Sequence, residues 1–128
     1  MGETERIAQH IANLEYSSIP QKLIEEMKIL LFDWLRVAFG GTKTDIGKIA
    51  AEFSREMGDK EEETIIGFGD RVSAPGAAFT NAILSHSIEL DDVDLLAYFH
   101  FSPPIYAAAL AMAESERSSG KDLKIQVY

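Results

Sequence analysis

At 128 residues, 46% apolar and 26% charged, the chain has the length of one domain and enough apolar matter for an ordinary core. Its net charge of −9 excludes the basic footprint that nucleic acid or an anionic membrane needs, and the lack of cysteine excludes disulfides and thiolate metal sites. The opening MGETERIAQH has no apolar core of the signal-peptide kind and no apolar run nears the ~18 residues of a membrane span, so the expected location is the cytoplasm.

Helical periodicity dominates the chain. Ile7, Ile11 and Leu14, with Ala8 and Ala12, line one face of a first short helix. Ser18, with Gln21 three residues on and Pro20 between them, predicts a capped start for the second. Leu23, Met27, Leu30, Leu31, Trp34, Leu35 and Ala38 give that helix a wide apolar face, and Gly40-Gly41 ends it. A face that wide implies more than one neighbour. Thr44 opens a third helix with Ile46, Ile49, Ala50, Phe53 and Met57 as its buried stripe and Gly58 as its end. Trp34 and Phe53 are expected in the core. The run Asp59 to Glu63 reads as a solvated charged loop, and Thr64 to Val72 as a small hairpin around Gly69-Asp70 that leans on the helices.

Ser73-Ala74-Pro75 starts a fourth helix, whose Ala77, Ala78, Ala82 and Ser85 permit close approach of a neighbour; it fades near Ile88–Asp92. Val93 to Ser102 is a loop rich in aromatics. Pro103-Pro104 opens a fifth, Ala-rich helix that ends by Ser118. Ser119 with Asp122 is a second capping pattern, so a sixth helix begins near Gly120 and has room for about two turns. Leu123, Ile125 and Val127 have no room there for a full amphipathic helix, and the expected reading is the N-terminal piece of something longer. The predicted fold class is all-α: five to six helices with one small hairpin, in a single, partial domain over residues 1–128.

Chemistry concentrates between Asn81 and Pro104. His86 and His100 flank Glu89, Asp91, Asp92 and Asp94, and no Lys or Arg occurs between Ser73 and Glu116. Such a cluster must be solvated, metal-bound, hydrogen-bonded or used for proton transfer, because unpaired buried charge is costly. His100 is the natural acid/base, since imidazole titrates near working pH; its plain alternative is packing between Phe99 and Phe101. Glu89 is either a helper that holds a substrate hydroxyl or orients His100, or a solvated carboxylate. Asp91 and Asp92 either contact substrate or cap helix four and bond loop amides. His86 shares a face with Ile83 and reads as a hydrogen-bonded core histidine as readily as a binding group. Asn81 is expected to bond backbone across a helix contact, and Asp33 and Arg36 to form a weak surface pair. No metal is expected: Asp91-Asp92-Val93-Asp94 does not repeat a DDxxD spacing, and the histidines lack the helical HExxH spacing of zinc sites.

Ordered motifs along the chain resemble a known family. Phe32 to Gly41 is similar to an LDxxGVAxxG helix end, Thr64 to Ser73 to an ATVLGxGxxVS hairpin, Asn81 to Asp92 to NGxxAHxLDFDD, His100 to Pro103 to the HPS that follows, and Ala107 to Leu123 to PAALALAExxGxSGKDLL. These are marks of the MmgE/PrpD family, which includes 2-methylcitrate dehydratase, cis-aconitate decarboxylase and iminodisuccinate epimerase. The resemblance implies the first part of a helical domain and cofactor-free lyase or isomerase chemistry on small polycarboxylates. It also implies a dimer, with a second α+β domain and a catalytic lysine outside this chain. His86, Asp91, Asp92 and His100 match the family pattern. Glu89 stands where the pattern has Asp, Val93 where it has Thr, Phe101 where it has Pro, and Arg36 where it has Gly.

Charge bears on competence. A di- or tricarboxylate needs Arg, Lys or dense donors for recognition, and this region offers carboxylates. The cations are expected from other sequence or a partner subunit, so the chain alone is expected to be inactive. The alternative is a non-catalytic dimerisation module, burying the wide face of helix two and the Ala-rich helices four and five against a second copy.

Overall fold

The computed structural model describes residues 2–58 and 61–127. Among them run α1 (Glu3–Ala12), a 3-10 turn (Tyr16–Ser18), α2 (Gln21–Gly41), α3 (Asp45–Met57), strands β1 (Glu63–Thr64) and β2 (Arg71–Val72), α4 (Ala74–His86), α5 (Ser102–Ser115) and α6 (Gly120–Val127). This is the helical array with one small hairpin that the periodicity predicts. Of the expected charged loop, residues 59 and 60 lie outside the described residues, as does Tyr128; Glu63, expected in solvent, is instead fully buried as the first residue of β1.

Helix α4 is the hub and packs against α2, α3 and α5. Its small residues allow this: Ala77 and Ser85 are fully buried, and α5 answers with Ala107, Ala111 and Ala113. The Ala-rich surfaces of α4 and α5 thus meet each other rather than lying free for a second copy. Trp34, Ala38, Leu84 and Tyr106 complete the core. The Trp34 and Tyr106 rings lie 5.8 Å apart, tilted by 31°, and the Tyr106 hydroxyl donates to the Met27 carbonyl at 2.8 Å. Burial, and then the charge of Asp92, push the Tyr106 phenol up to about 12.

Gly41 ends α2 for a packing reason. A Cβ there would lie 2.0 Å from the Leu84 carbonyl oxygen, so only glycine lets α2 meet α4 so closely. The expected cap of α2 is corrected: Pro20, not Ser18, is the N-cap. The Ser18 hydroxyl is spent on the Glu15 carbonyl at 2.7 Å, closing the 3-10 turn, and Gln21 reaches forward to Glu25 at 2.8 Å. The other caps form as predicted. Thr44 Oγ1 accepts from the Gly47 N–H at 3.0 Å, and the Ser119 N–H and hydroxyl donate to Asp122 at 2.9 and 2.7 Å, which holds the Asp122 carboxyl below its ordinary value.

The predicted buried stripe of α3 holds at Ala50 and is otherwise overturned. Ile46, Ile49 and Met57 are 56%, 65% and 71% exposed, and Phe53, expected in the core, is half-exposed beside Phe79 with ring centroids 5.6 Å apart. The face that docks is Gly47, Ala50, Ala51 and Ser54. It meets α4 through small side chains and buried hydrogen bonds: Ser54 Oγ and Thr80 Oγ1 are 2.7 Å apart, and Thr80 Oγ1 donates to the Ala50 carbonyl at 3.1 Å. Helix α1 likewise buries none of its residues, leaving Ile7 and Ile11 exposed.

The hairpin pairs Glu63 with Val72 and Thr64 with Arg71. Its turn is broader than the expected Gly69-Asp70 pair, with both Gly67 and Gly69 at positive φ. It leans on the helices as predicted. Asn81 of α4 accepts from the Ile66 N–H and donates to the Thr64 carbonyl, both at 2.9 Å, so its backbone partners belong to the hairpin and not to another helix. Glu114 of α5 accepts from the Thr64 N–H and hydroxyl at 2.7 and 2.9 Å.

Candidate active site

Helix α4 ends one residue after its buried Ser85, at His86. The chain then folds back through Glu89, whose N–H donates to the His86 carbonyl at 3.0 Å and whose φ is +52°. That left-handed step, unusual for a residue with a Cβ, returns Asp91 beneath the imidazole of His86. Both Asp91 oxygens lie near His86 Nδ1, at 3.1 and 3.0 Å. Asp91 Oδ2 is also 2.9 Å from Nδ1 of His100, at the far end of the loop. The Asp91 carboxylate is 1% exposed. The two rings stand edge to face, 4.8 Å apart at 63°. Glu89 Oε1 lies 3.4 Å from His86 Nε2, with its side chain largely in solvent.

The remaining acids of the loop have local tasks. Asp92 Oδ1 accepts from the Ser102 N–H at 3.2 Å, holding the first turn of α5. Asp94 Oδ1 accepts from the N–H groups of Leu96 and Ala97 at 2.8 and 2.7 Å, and its backbone pairs with Phe99. The result is a short finger with Leu95, Leu96 and Tyr98 outward at its tip. The expected surface pair of Arg36 and Asp33 forms at 2.7 Å. Arg36 also reaches the Leu90 carbonyl at 3.4 Å, a tie to the site loop with no signal in the sequence beyond the basic residue itself.

Beside the imidazoles opens a slot of about 370 Å³, walled by Ala82, Ile83, Tyr98, Phe99, Pro103 and Pro104 together with His86 and His100. It has the apolar walls and few polar groups of a small-molecule site. Lys and Arg are absent from its lining. The structure therefore brings His86, Asp91 and His100 into one contact group, sets Glu89 at its solvent edge, and turns Asp92 towards α5. From sequence, Ala82, Ile83 and Pro104 read as helix-contact, helix-face and helix-start residues and not as walls of a site, since small and apolar residues there read equally as helix packing. The ligand atoms of His86, Asp91 and His100 fall within 4.8 Å of one another, a spacing a divalent ion also accepts, although the helical zinc spacing is missing.

A helical array with paired imidazoles and carboxylates at the end of its central helix is a candidate proton-transfer site. The profile of the MmgE/PrpD N-terminal domain matches residues 5–125. The chain belongs to the MmgE/PrpD N-terminal domain family. Among curated proteins it is similar to the human cis-aconitate decarboxylase, 31% identical over 124 residues, and to that of Aspergillus terreus, 27% identical over 127. The mouse cis-aconitate decarboxylase is 28% identical over 124 residues. These matches cover 94%, 95% and 94% of this chain but only 26%, 26% and 25% of the relatives, so the chain spans about a quarter of their length.

Proposed function

We propose that this chain is the N-terminal part of a lyase or isomerase that acts on a small polycarboxylate without a cofactor, with His100 as its acid/base group and Glu89 as its helper. The observation that carries the reading is the convergence of both residues on His86 beside an open apolar slot, in a chain whose curated relatives are cis-aconitate decarboxylases. In a decarboxylation, the bond from carbon to carboxylate breaks, carbon dioxide leaves with its oxygens, and the electron pair stays on carbon. An imidazolium then delivers the proton that quenches it. In a dehydration the same imidazole takes a proton from carbon while hydroxide leaves. Either task suits a residue that gains and loses a proton near neutrality.

The slot wall offers no cation to a substrate carrying two or three negative charges. The positive groups, and the second α+β domain, are assigned to sequence outside residues 1–128 or to a partner subunit. On the same reading the cytoplasm is the expected location; among the described residues no helix is long and apolar enough to cross a membrane.

The test uses two proteins. The 128-residue chain is expected to turn over neither cis-aconitate nor 2-methylcitrate. A chimera in which residues 5–125 replace the matching segment of the human decarboxylase is expected to act on one of them, and His100→Ala to lower its rate by roughly 10²–10⁴-fold. Turnover by the short chain would remove the need for outside cations. A fully active His100→Ala chimera would remove the catalytic role.

A second reading has its own observation. Ile46, Ile49 and Met57 on α3, and Leu95, Leu96 and Tyr98 on the finger, form exposed apolar surface of the kind that marks a partner contact. A dimer is expected by light scattering at high concentration; a monomer throughout would count against it.

A further inference from the structure

Asp91 stands out among the carboxylates of this site. Its side chain is 1% exposed, yet its hydrogen-bond partner among the described residues is an imidazole, with no backbone N–H, Lys or Arg donating to it. The guanidinium that reaches this loop, Arg36, is engaged by Asp33 and the Leu90 carbonyl. A buried carboxylate needs donors, and the atoms available are the Nδ1 nitrogens of His86 and His100. Nδ1 of His100 is itself buried and in no well-aligned hydrogen bond, 2.9 Å from Asp91 Oδ2. That separation is within hydrogen-bonding range, and a proton on His100 Nδ1 is the donor that pairs the two atoms.

We propose that Asp91 is a positioning residue that holds both imidazoles with Nδ1 protonated and towards itself, so that Nε2 is the working nitrogen of each. A neutral imidazole has one donor and one acceptor nitrogen, and free imidazole side chains carry no such constraint. With Nδ1–H committed to Asp91, the lone pair of His100 lies on Nε2, on the ring edge away from the carboxylate, where a base must present it. The unprotonated Nε2 of His86 then faces the largely solvated Glu89 carboxylate, 3.4 Å away, and since both are acceptors they pair only when a proton is added to one of them. One buried anion thereby fixes the tautomer of two rings, as an aspartate does for the histidine of a hydrolase triad. The catalytic consequence rests on the reading of His100 given above; the tautomer assignment does not.

Long-range ¹H–¹⁵N correlation spectra of the uniformly labelled 128-residue chain, at about pH 9 where ordinary imidazoles are neutral, decide it. His86 and His100 are expected as Nδ1–H tautomers, with the exposed His10 as internal reference showing the mixture of a free ring. Asp91→Leu, which keeps the side-chain shape but offers no acceptor to either Nδ1, is expected to release both rings towards the mixture shown by His10, and Asp91→Glu to keep Nδ1–H. A wild-type spectrum with Nε2–H at His100 overturns the proposal whether or not the variants fold, and so does a folded Asp91→Leu chain with unchanged tautomers. Loss of turnover in the chimera is a separate result: Nδ1–H tautomers in an inactive chimera would uphold the positioning role of Asp91 and sink the catalytic reading.

Discussion

Glu89 and Glu63 show two ways in which one residue is held against its preference. Glu89 occupies the left-handed region at φ +52°, which costs a side chain with a Cβ roughly 1–2 kcal/mol. Its side chain touches only His86 among described ion pairs. Glu89→Gly should therefore unfold at equal or higher denaturant, with a gain of up to about 1 kcal/mol, while a chimera carrying it loses activity; a marked loss of stability would show that Glu89 is structural. Glu63 is fully buried with neither oxygen in a well-formed hydrogen bond. Burial, and then the charge of neighbouring Glu62, raise its carboxyl above the ordinary 4.5, partly offset by the Ser115 hydroxyl. A raised folded value means that folding favours the protonated form, so its contribution is fully present below pH 4.5 and is lost as pH rises through the folded value. Glu63→Gln removes that loss. Denaturant melts should show the variant more stable at pH 7, by about 1 kcal/mol, with the advantage shrinking towards pH 4.

At the scale of elements, the close approach of α2 and α4 and the anchoring of the hairpin carry the strongest expectations. Gly41→Ala drives a Cβ into the Leu84 carbonyl, a backbone atom that cannot swing aside, and should cost about 3 kcal/mol. Asn81→Ala leaves the Ile66 N–H and Thr64 carbonyl without partners inside the fold. At ~1–3 kcal/mol for each stranded buried group, it should cost about 3 kcal/mol and speed amide exchange at Ile66 before it does so in α4. The opposite holds on α3. Ile49→Ser, on a face the periodicity assigns to the core, should change stability by less than about 0.5 kcal/mol, because Ile49 is 65% exposed. A large loss there would mean that this face is covered in solution, which light scattering of the same sample would reveal.

For the molecule as a whole, much was legible in the residues themselves. The helix boundaries follow from Thr44, Pro75, Pro103 and the Ser119–Asp122 pair, because caps and prolines act within one turn and need no tertiary partner. The family was legible because its motifs come in order along the chain, and His100, Glu89 and His86 stand out through chemistry and through the absence of Lys or Arg around them. What local pattern left open is which apolar face docks. On α3 the periodic stripe of Ile46, Ile49, Ala50, Phe53 and Met57 keeps only Ala50 in the contact, beside Gly47, Ala51 and Ser54, since two helices that meet closely need small side chains, and periodicity reports that a stripe exists without reporting what faces it. The tasks of the four carboxylates were open in the same way: only the left-handed turn at Glu89 and the return of the loop at His100 put Asp91 under two rings while sending Asp92 to the start of α5 and Asp94 to the finger. Composition and spacing thus determined the helices and the chemical inventory, which depend on neighbours in sequence, and the ordered motifs carried the resemblance to the family. The tertiary structure alone decided burial and partnership, because both depend on residues brought together from distant parts of the chain.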